Sequence, residues 1–159
     1  LGITQQGAAR VRRLGQSAAV AAALLAGAVL SGIAVSPPPP VGTAASAGAE
    51  NFSSARLAAL RAEGRPVFVD MTAAWCVTCL VNERVALASA SVQRAFAAKH
   101  VAYLKGDWTR QNPAISEFLR EYGRDGVPLY VYYPPHDGAP VVLPQILTEN
   151  EVLRELNAG

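Results

Sequence analysis

From residue 51 onward the apolar positions switch repeatedly between helical and strand spacing. In "SSARLAALRAEG" (53–64) they recur at helical intervals between a Ser start signal and a Gly stop, which predicts a helix. "RPVFVDMT" (65–72) is a short β-branched and aromatic run with Pro at its edge, and predicts a buried strand. Helical spacing returns through "AWCVTCLVNERVALAS" and, after a fresh Ser cap, through "SVQRAFAAKH" (91–100). A second strand is expected over "VAYLKGDW" (101–108). "NPAISEFLREYG" (112–123) then has the Asn cap, first-turn Pro and terminal Gly of a helix. "VPLYVYYP" (127–134) and "PVVLPQ" (140–145) predict two further strands around an "HDG" turn, and a Thr-capped helix over 148–159 closes the chain. Helices alternating with strands, then a hairpin and a last helix, predict an α/β domain. Its central mixed sheet of about four strands should be flanked by helices on both faces.

The N-terminal third follows a different pattern. "SAAVAAALLAGAVLSGIAVS" (17–36) carries no charge, and about 20 helical residues reach roughly 30 Å, the thickness of a bilayer's hydrocarbon core. It predicts one transmembrane helix; a secretory signal peptide and a buried soluble helix are the alternatives. Arg10, Arg12 and Arg13 make residues 1–16 a basic flank held on the cytoplasmic side, so everything after residue 36 is expected outside. That places the chain in the inner (cytoplasmic) membrane with its folded domain in the periplasm. The opening "LGITQQGAARVRRLGQ" reads as the interior of a longer chain. Residues 37–50, beginning with four prolines, form a Pro/Ala/Gly-rich linker to a domain over 51–159.

Charge narrows the function classes. The chain has a formal net charge of +2 with 14 basic and 12 acidic residues, and three of the basic ones lie before residue 50. The folded part therefore carries 11 basic against 12 acidic groups, or −1. No basic stripe remains to bind nucleic acid.

The only two cysteines, Cys76 and Cys79, lie where the strand over 65–72 passes into a helix. They could be a metal clamp, a structural staple or a working redox pair. A zinc site would need more ligands, and His100 and His136 read as a helix-end residue and a solvated turn residue. A disulfide closing so short a loop constrains the unfolded chain little. A Trp before the C-x-x-C, a buried strand behind it and a helix after it favour the redox pair. At the helix N-terminus the Cys76 thiol should ionise below the free value of about 8.5, while Cys79, one turn in, is more buried. One attacking thiolate and one resolving thiol are what disulfide exchange requires.

"VFVDMTAAWCVTC" followed by "GVPLYVYYP" resembles a thioredoxin fold. More closely, "WCVTCLVNE" with "GDWT" and "GVPLYVYYPP" resembles the C-terminal exported domain of the DsbD family of transmembrane thiol–disulfide interchange proteins, over roughly residues 52–157. The resemblance implies that residues 1–36 are the last loop and last span of a membrane helix bundle. It implies a protein-disulfide reductase with no cofactor beyond the cysteine pair and no metal. Electrons would come from a cysteine pair in the membrane bundle and pass to exported disulfide-containing proteins or domains. Cys76 would attack and Cys79 would resolve. Asp70, an acid inside an apolar strand, would sit beneath the resolving cysteine and take its proton. Glu83 would be an acid near the pair that damps premature reactivity. Pro128 would be a cis-proline opposite the disulfide, leaving the Val127 backbone to pair with a partner's extended chain, and Trp75 would shield the disulfide and line the contact surface. Trp108, Tyr130, Tyr132 and Tyr133 are expected as core or rim aromatics. The dipeptide between the cysteines, Val77-Thr78, has no His to stabilise the Cys76 thiolate, which argues for an electron donor. Two other readings stand beside this one: a singly anchored reductase serving cytochrome c maturation, and a metal-handling or docking module without enzymatic activity.

Overall fold

The structure is a computed structural model and describes residues 48–159. Its elements, in chain order, are β1 (Ala49–Asn51), α1 (Ser54–Ala62), β2 (Val67–Thr72), α2 (Val77–Asn82), α3 (Ala90–Ala98), β3 (Ala102–Asp107), α4 (Pro113–Glu121), β4 (Leu129–Tyr133), β5 (Val141–Leu143) and α5 (Glu149–Ala158). Helix α2 runs straight into a wider π-helical stretch, Glu83–Leu87. The caps read from sequence act as caps: Ser53, Asn112 and Thr148 each accept a backbone N–H of their helix, and Thr148 forms a reciprocal capping box with Glu151. His100 ends α3 in the left-handed region (φ 52°), and the bonds from its own N–H to Ala97 and from Val101 to Phe96 close the last turn.

The five strands form one mixed sheet in the order β1-β3-β2-β4-β5. β1 and β2 both run parallel to β3, whereas β4 is antiparallel to β2 and to β5. The hydrophobic pattern predicts four strands and leaves residues 49 and 50 in the linker. The additional strand, β1, is only Ala-Glu-Asn, a triplet without β-forming side chains, and joins the sheet through its backbone beside Tyr103–Lys105.

β2 is buried at all six positions because helices cover both faces of the sheet. One face packs Val67, Val69, Met71, Leu104, Leu129 and Val131 against α1 and α4. The other packs Phe68, Tyr103, Tyr130 and Tyr132 against the π stretch, α3 and α5. Strand alternation puts Asp70 on the second face, where it pairs in register with Lys105 on β3 and Tyr130 on β4. At the neighbouring step Met71 lies beside Gly106, and a side chain at position 106 would collide with the Met71 sulfur. A larger residue there would oblige the Met71 side chain to move. Among the described residues no helix is long and apolar enough to cross a membrane; the span expected over 17–36 lies outside them.

Candidate active site

The site is built on the link from β2 to α2. After Thr72 the chain makes a tight turn, closed by the Cys76 N–H on the Ala73 carbonyl at 3.0 Å. This leaves Cys76 as the N-cap of α2, with extended backbone (φ −83°, ψ 95°), and its Sγ accepts the Cys79 N–H at 3.2 Å. A helix N-terminus has unpaired backbone N–H groups, so a sulfur at that position is a natural acceptor for one of them. Cys76 and Cys79 are joined by a disulfide. Both are buried, Cys76 at 7% exposure and Cys79 at 2%, so the asymmetry expected from sequence is present but narrow.

Two segments distant in sequence close around the pair. Val127 packs against the small cluster of Ala73, Cys76 and Cys79, and the bond from Val127 to the buried Pro128 is cis. On another side, Thr109 holds the turn before Cys76. Its hydroxyl accepts the Ala74 N–H at 2.8 Å and its carbonyl accepts the Trp75 indole N–H at 3.2 Å. Thr109 is itself fixed by Asp107, which accepts both its backbone N–H and its hydroxyl and is held below the usual carboxylate range by those bonds. Trp75 is 55% exposed, with its ring 6.0 Å from that of Trp108. Val77, one residue past Cys76, is also exposed. The approach to the disulfide is thus flanked by apolar side chains held on hydrogen-bonded backbone.

The sheet face that carries Asp70 holds a buried polar cluster. Asp70 is 2% exposed; its Oδ2 accepts the Tyr103 hydroxyl at 2.8 Å. Burial pushes its pKa up to about 6, against the Tyr103 hydrogen bond and the Lys105 charge, which pull it down; Glu83 adds a smaller upward push. Glu83 forms a 2.6 Å ion pair with Lys105, both partly buried. Tyr130, also in this cluster, is shifted upward by burial and by the Asp70 charge. The structure therefore brings Asp70 and Glu83 into one electrostatic neighbourhood, with Lys105 between them in charge. Asn82, at the end of α2, is buried and donates to Tyr130 Oη at 3.1 Å and the Gln145 carbonyl at 2.7 Å, while accepting the Leu147 N–H at 3.2 Å. Among the described residues no group of three His, Cys, Asp or Glu side chains is arranged to hold a metal ion. His100 and His136 are exposed and lie in other parts of the domain.

Sequence reasoning singles out Cys76, Cys79, Asp70, Glu83, Trp75, Val127 and Pro128. It misses Tyr103, Lys105, Asn82 and Thr109. "GDWT" is informative as a motif, but nothing in it says that Thr109 reaches back to the turn before Cys76. Lys105 had no such signal, because its place opposite Asp70 depends on the register of the assembled sheet.

Thioredoxin-like proteins share a family profile that matches residues 49–135, more than half of the chain. The chain belongs to the thioredoxin-like family. Within this family it is similar to the thiol:disulfide interchange protein DsbD 1 of Pseudomonas aeruginosa, at 37% identity over 81 residues. It is also similar to DsbD of Yersinia pestis, at 30% identity over 73 residues. These matches take up 51% and 46% of this chain but only 13% and 12% of the relatives, so the chain spans a small part of their length. Among solved structures, the C-terminal domain of Neisseria meningitidis DsbD in its oxidised form superimposes with a TM-score of 0.56 at 23% identity. That match covers 68% of this chain and 97% of that one. A thioredoxin from Thermus thermophilus gives 0.55 at 23% identity, covering 70% and 86%. At those identities the structural likeness speaks to the fold, and the thioredoxin-like fold is what this chain has.

Chemically, this thioredoxin-like site joins three things. One sulfur caps a helix, where backbone N–H groups favour the thiolate over the thiol. The second is one helical turn away and bonded to the first. A carboxyl group whose pKa burial raises to about 6 lies on the strand that leads into them.

Proposed function

We propose that this chain is a thiol–disulfide oxidoreductase that passes electrons outward through Cys76 and Cys79 to disulfides in exported proteins. The observation that carries the reading is the disulfide at the N-cap of α2, with a buried, upward-shifted carboxyl group on the preceding strand. In the reduced form, Cys76 thiolate attacks a partner disulfide. One partner sulfur leaves as thiolate and takes a proton, and the other stays in a mixed disulfide with Cys76. Cys79 then gives its proton to the Asp70 carboxylate and attacks the Cys76 sulfur. The Cys76–Cys79 disulfide forms and the second partner sulfur leaves, so the partner gains two electrons and this chain loses two. Trp75, Val127 and Pro128 line the contact surface, and the Val127 backbone pairs with the partner's extended chain. Glu83 restrains the reactivity of the pair through its negative charge.

The similarity to DsbD proteins supports the remaining parts of the reading. Residues 17–36 anchor the chain in the inner membrane, and the domain works in the periplasm. A membrane helix bundle with its own cysteine pair is the electron donor.

The deciding experiment equilibrates the protein with thiol buffers and measures the Cys76–Cys79 reduction potential. A value at or below about −200 mV is expected for an outward donor, whereas one near about −120 mV makes the pair an oxidant and reverses the proposed direction. Failure to cycle at all moves the disulfide to a structural role. In the same preparation, Cys79→Ser should accumulate a mixed disulfide with a model substrate, and Cys76→Ser should form none.

A further inference from the structure

We propose that Tyr103 is a positioning residue for the exchange reaction: its hydroxyl fixes the Asp70 carboxyl group through Oδ2 and leaves Oδ1 as the oxygen that receives the Cys79 proton. This rests on the reading of Asp70 as proton acceptor given above.

The two oxygens of this carboxyl group are not equivalent. Oδ2 accepts the Tyr103 hydroxyl at 2.8 Å, while Oδ1 is buried with no hydrogen-bond partner among the described residues. A buried carboxylate oxygen without a donor is costly, and buried polar atoms are ordinarily paired. On the strand that leads into the cysteine pair, an unpaired carboxylate oxygen is poised to accept a proton. Tyr103 is well placed to keep the carboxyl group from turning. It is two residues before Lys105 on β3, on the same sheet face as Asp70, and its ring is packed against Phe68 and Phe96 at centroid distances of 5.9 and 5.6 Å. Tyr103 is itself 4% exposed, so its hydroxyl has little access to bulk water as an alternative partner.

The other charged or titratable groups that act on Asp70 come from three elements. Lys105 on β3 favours the carboxylate, while Glu83 on the π stretch disfavours it. Tyr130 on β4 is its register partner. Lys105 is already paired with Glu83, so its charge reaches Asp70 partly compensated. Among these groups Tyr103 alone is a hydrogen-bond donor to the Asp70 carboxyl group, and its loss should be felt most by the charged form.

The test is Tyr103→Phe, which keeps the ring and removes only the donor. In the oxidised protein, the Asp70 carboxyl titration followed by carbon NMR should move up by roughly one pH unit. The pH profile for resolution of a preformed mixed disulfide should move up with it, because the carboxylate form now appears only at higher pH. An unchanged titration midpoint overturns the inference, whatever the activity. Asp70→Asn separates this from the underlying reading. If that variant resolves the mixed disulfide as fast as the wild type, Asp70 is not the proton acceptor and both fall. If it is slow while Tyr103→Phe leaves the profile in place, only the role of Tyr103 falls. Should Tyr103→Phe fail to fold, a fluorotyrosine placed at position 103 has a stronger donor hydroxyl and should shift the Asp70 midpoint downward; no shift overturns the inference equally.

Discussion

Asp70 is held in a site that disfavours its charge, and this gives the domain a pH-dependent weakness. In an unfolded chain an Asp titrates near 3.9; in the fold, burial raises Asp70 to about 6. Below about pH 4 both states hold the proton, and the group does not affect stability. As pH rises from there to about 6 the unfolded chain gives up its proton first, so stability falls. Above that range the full penalty remains, about 3 kcal/mol from the size of the shift. Asp70→Asn should therefore stabilise the oxidised protein by roughly 2 kcal/mol at pH 8 and by little at pH 4. Urea unfolding at the two pH values checks this, and equal effects at both would show that the native carboxyl group titrates normally. At this scale the sequence was informative about the acid: its place within an apolar strand marked Asp70 as buried. It was silent about Tyr103, because an aromatic residue in a buried strand looks like packing until its hydroxyl is seen to have a partner.

At the level of elements, the site depends on α2 being held in place from the far end. Asn82 sits where α2 widens into the π stretch, and its side chain ties this junction to Tyr130 on β4 and to the segment between β5 and α5. The segment Gln145–Leu147 has no strand or helix of its own, so the buried Leu147 N–H relies on Asn82. Asn82→Ala should strip three hydrogen bonds at once and leave buried backbone groups unpaired, costing on the order of 3 kcal/mol. Denaturant unfolding measures the loss. A cost below about 0.5 kcal/mol would mean that the junction is held by apolar packing alone. The helices and their caps were legible because Ser, Asn, Thr, Pro and Gly act on their own neighbours. The π stretch was not: it keeps helical apolar spacing and differs only in which carbonyl each N–H meets.

Across the whole domain, one sheet serves two cores, and β2 is buried on both faces at its centre. The parallel half (β1, β3, β2) and the antiparallel half (β4, β5) share β2, so neither core can open without disturbing the strand that leads into the disulfide. A protein consisting of residues 48–159 should therefore unfold in a single cooperative transition, with fluorescence and circular dichroism curves that coincide. Two separated transitions would show that the faces are independent. The topology also sets direction. β1 runs parallel to β3 and pairs from Ala49 with Tyr103, near the start of β3, while the disulfide follows the last residue of β2, opposite Asp107 at the end of β3. The chain thus enters the domain at the opposite end of the sheet from its reactive pair.

The sequence by itself determined the fold class and marked the residues that the proposed reaction uses. A C-x-x-C between a buried strand and a helix, an acid six residues earlier inside that strand and a proline after a distant Val are local patterns, and their meaning comes from spacing along the chain. The tertiary structure alone decided what surrounds them. Thr109 bonding back to Ala74 and Trp75, Lys105 paired with Glu83, and Tyr103 holding one oxygen of Asp70 each join groups 22 to 35 residues apart. Strand register brings such pairs together, and register is a property of the assembled sheet that no single segment carries. The short edge strand β1 belongs to the same class, since its three residues become a strand only because β3 offers them a backbone to pair with.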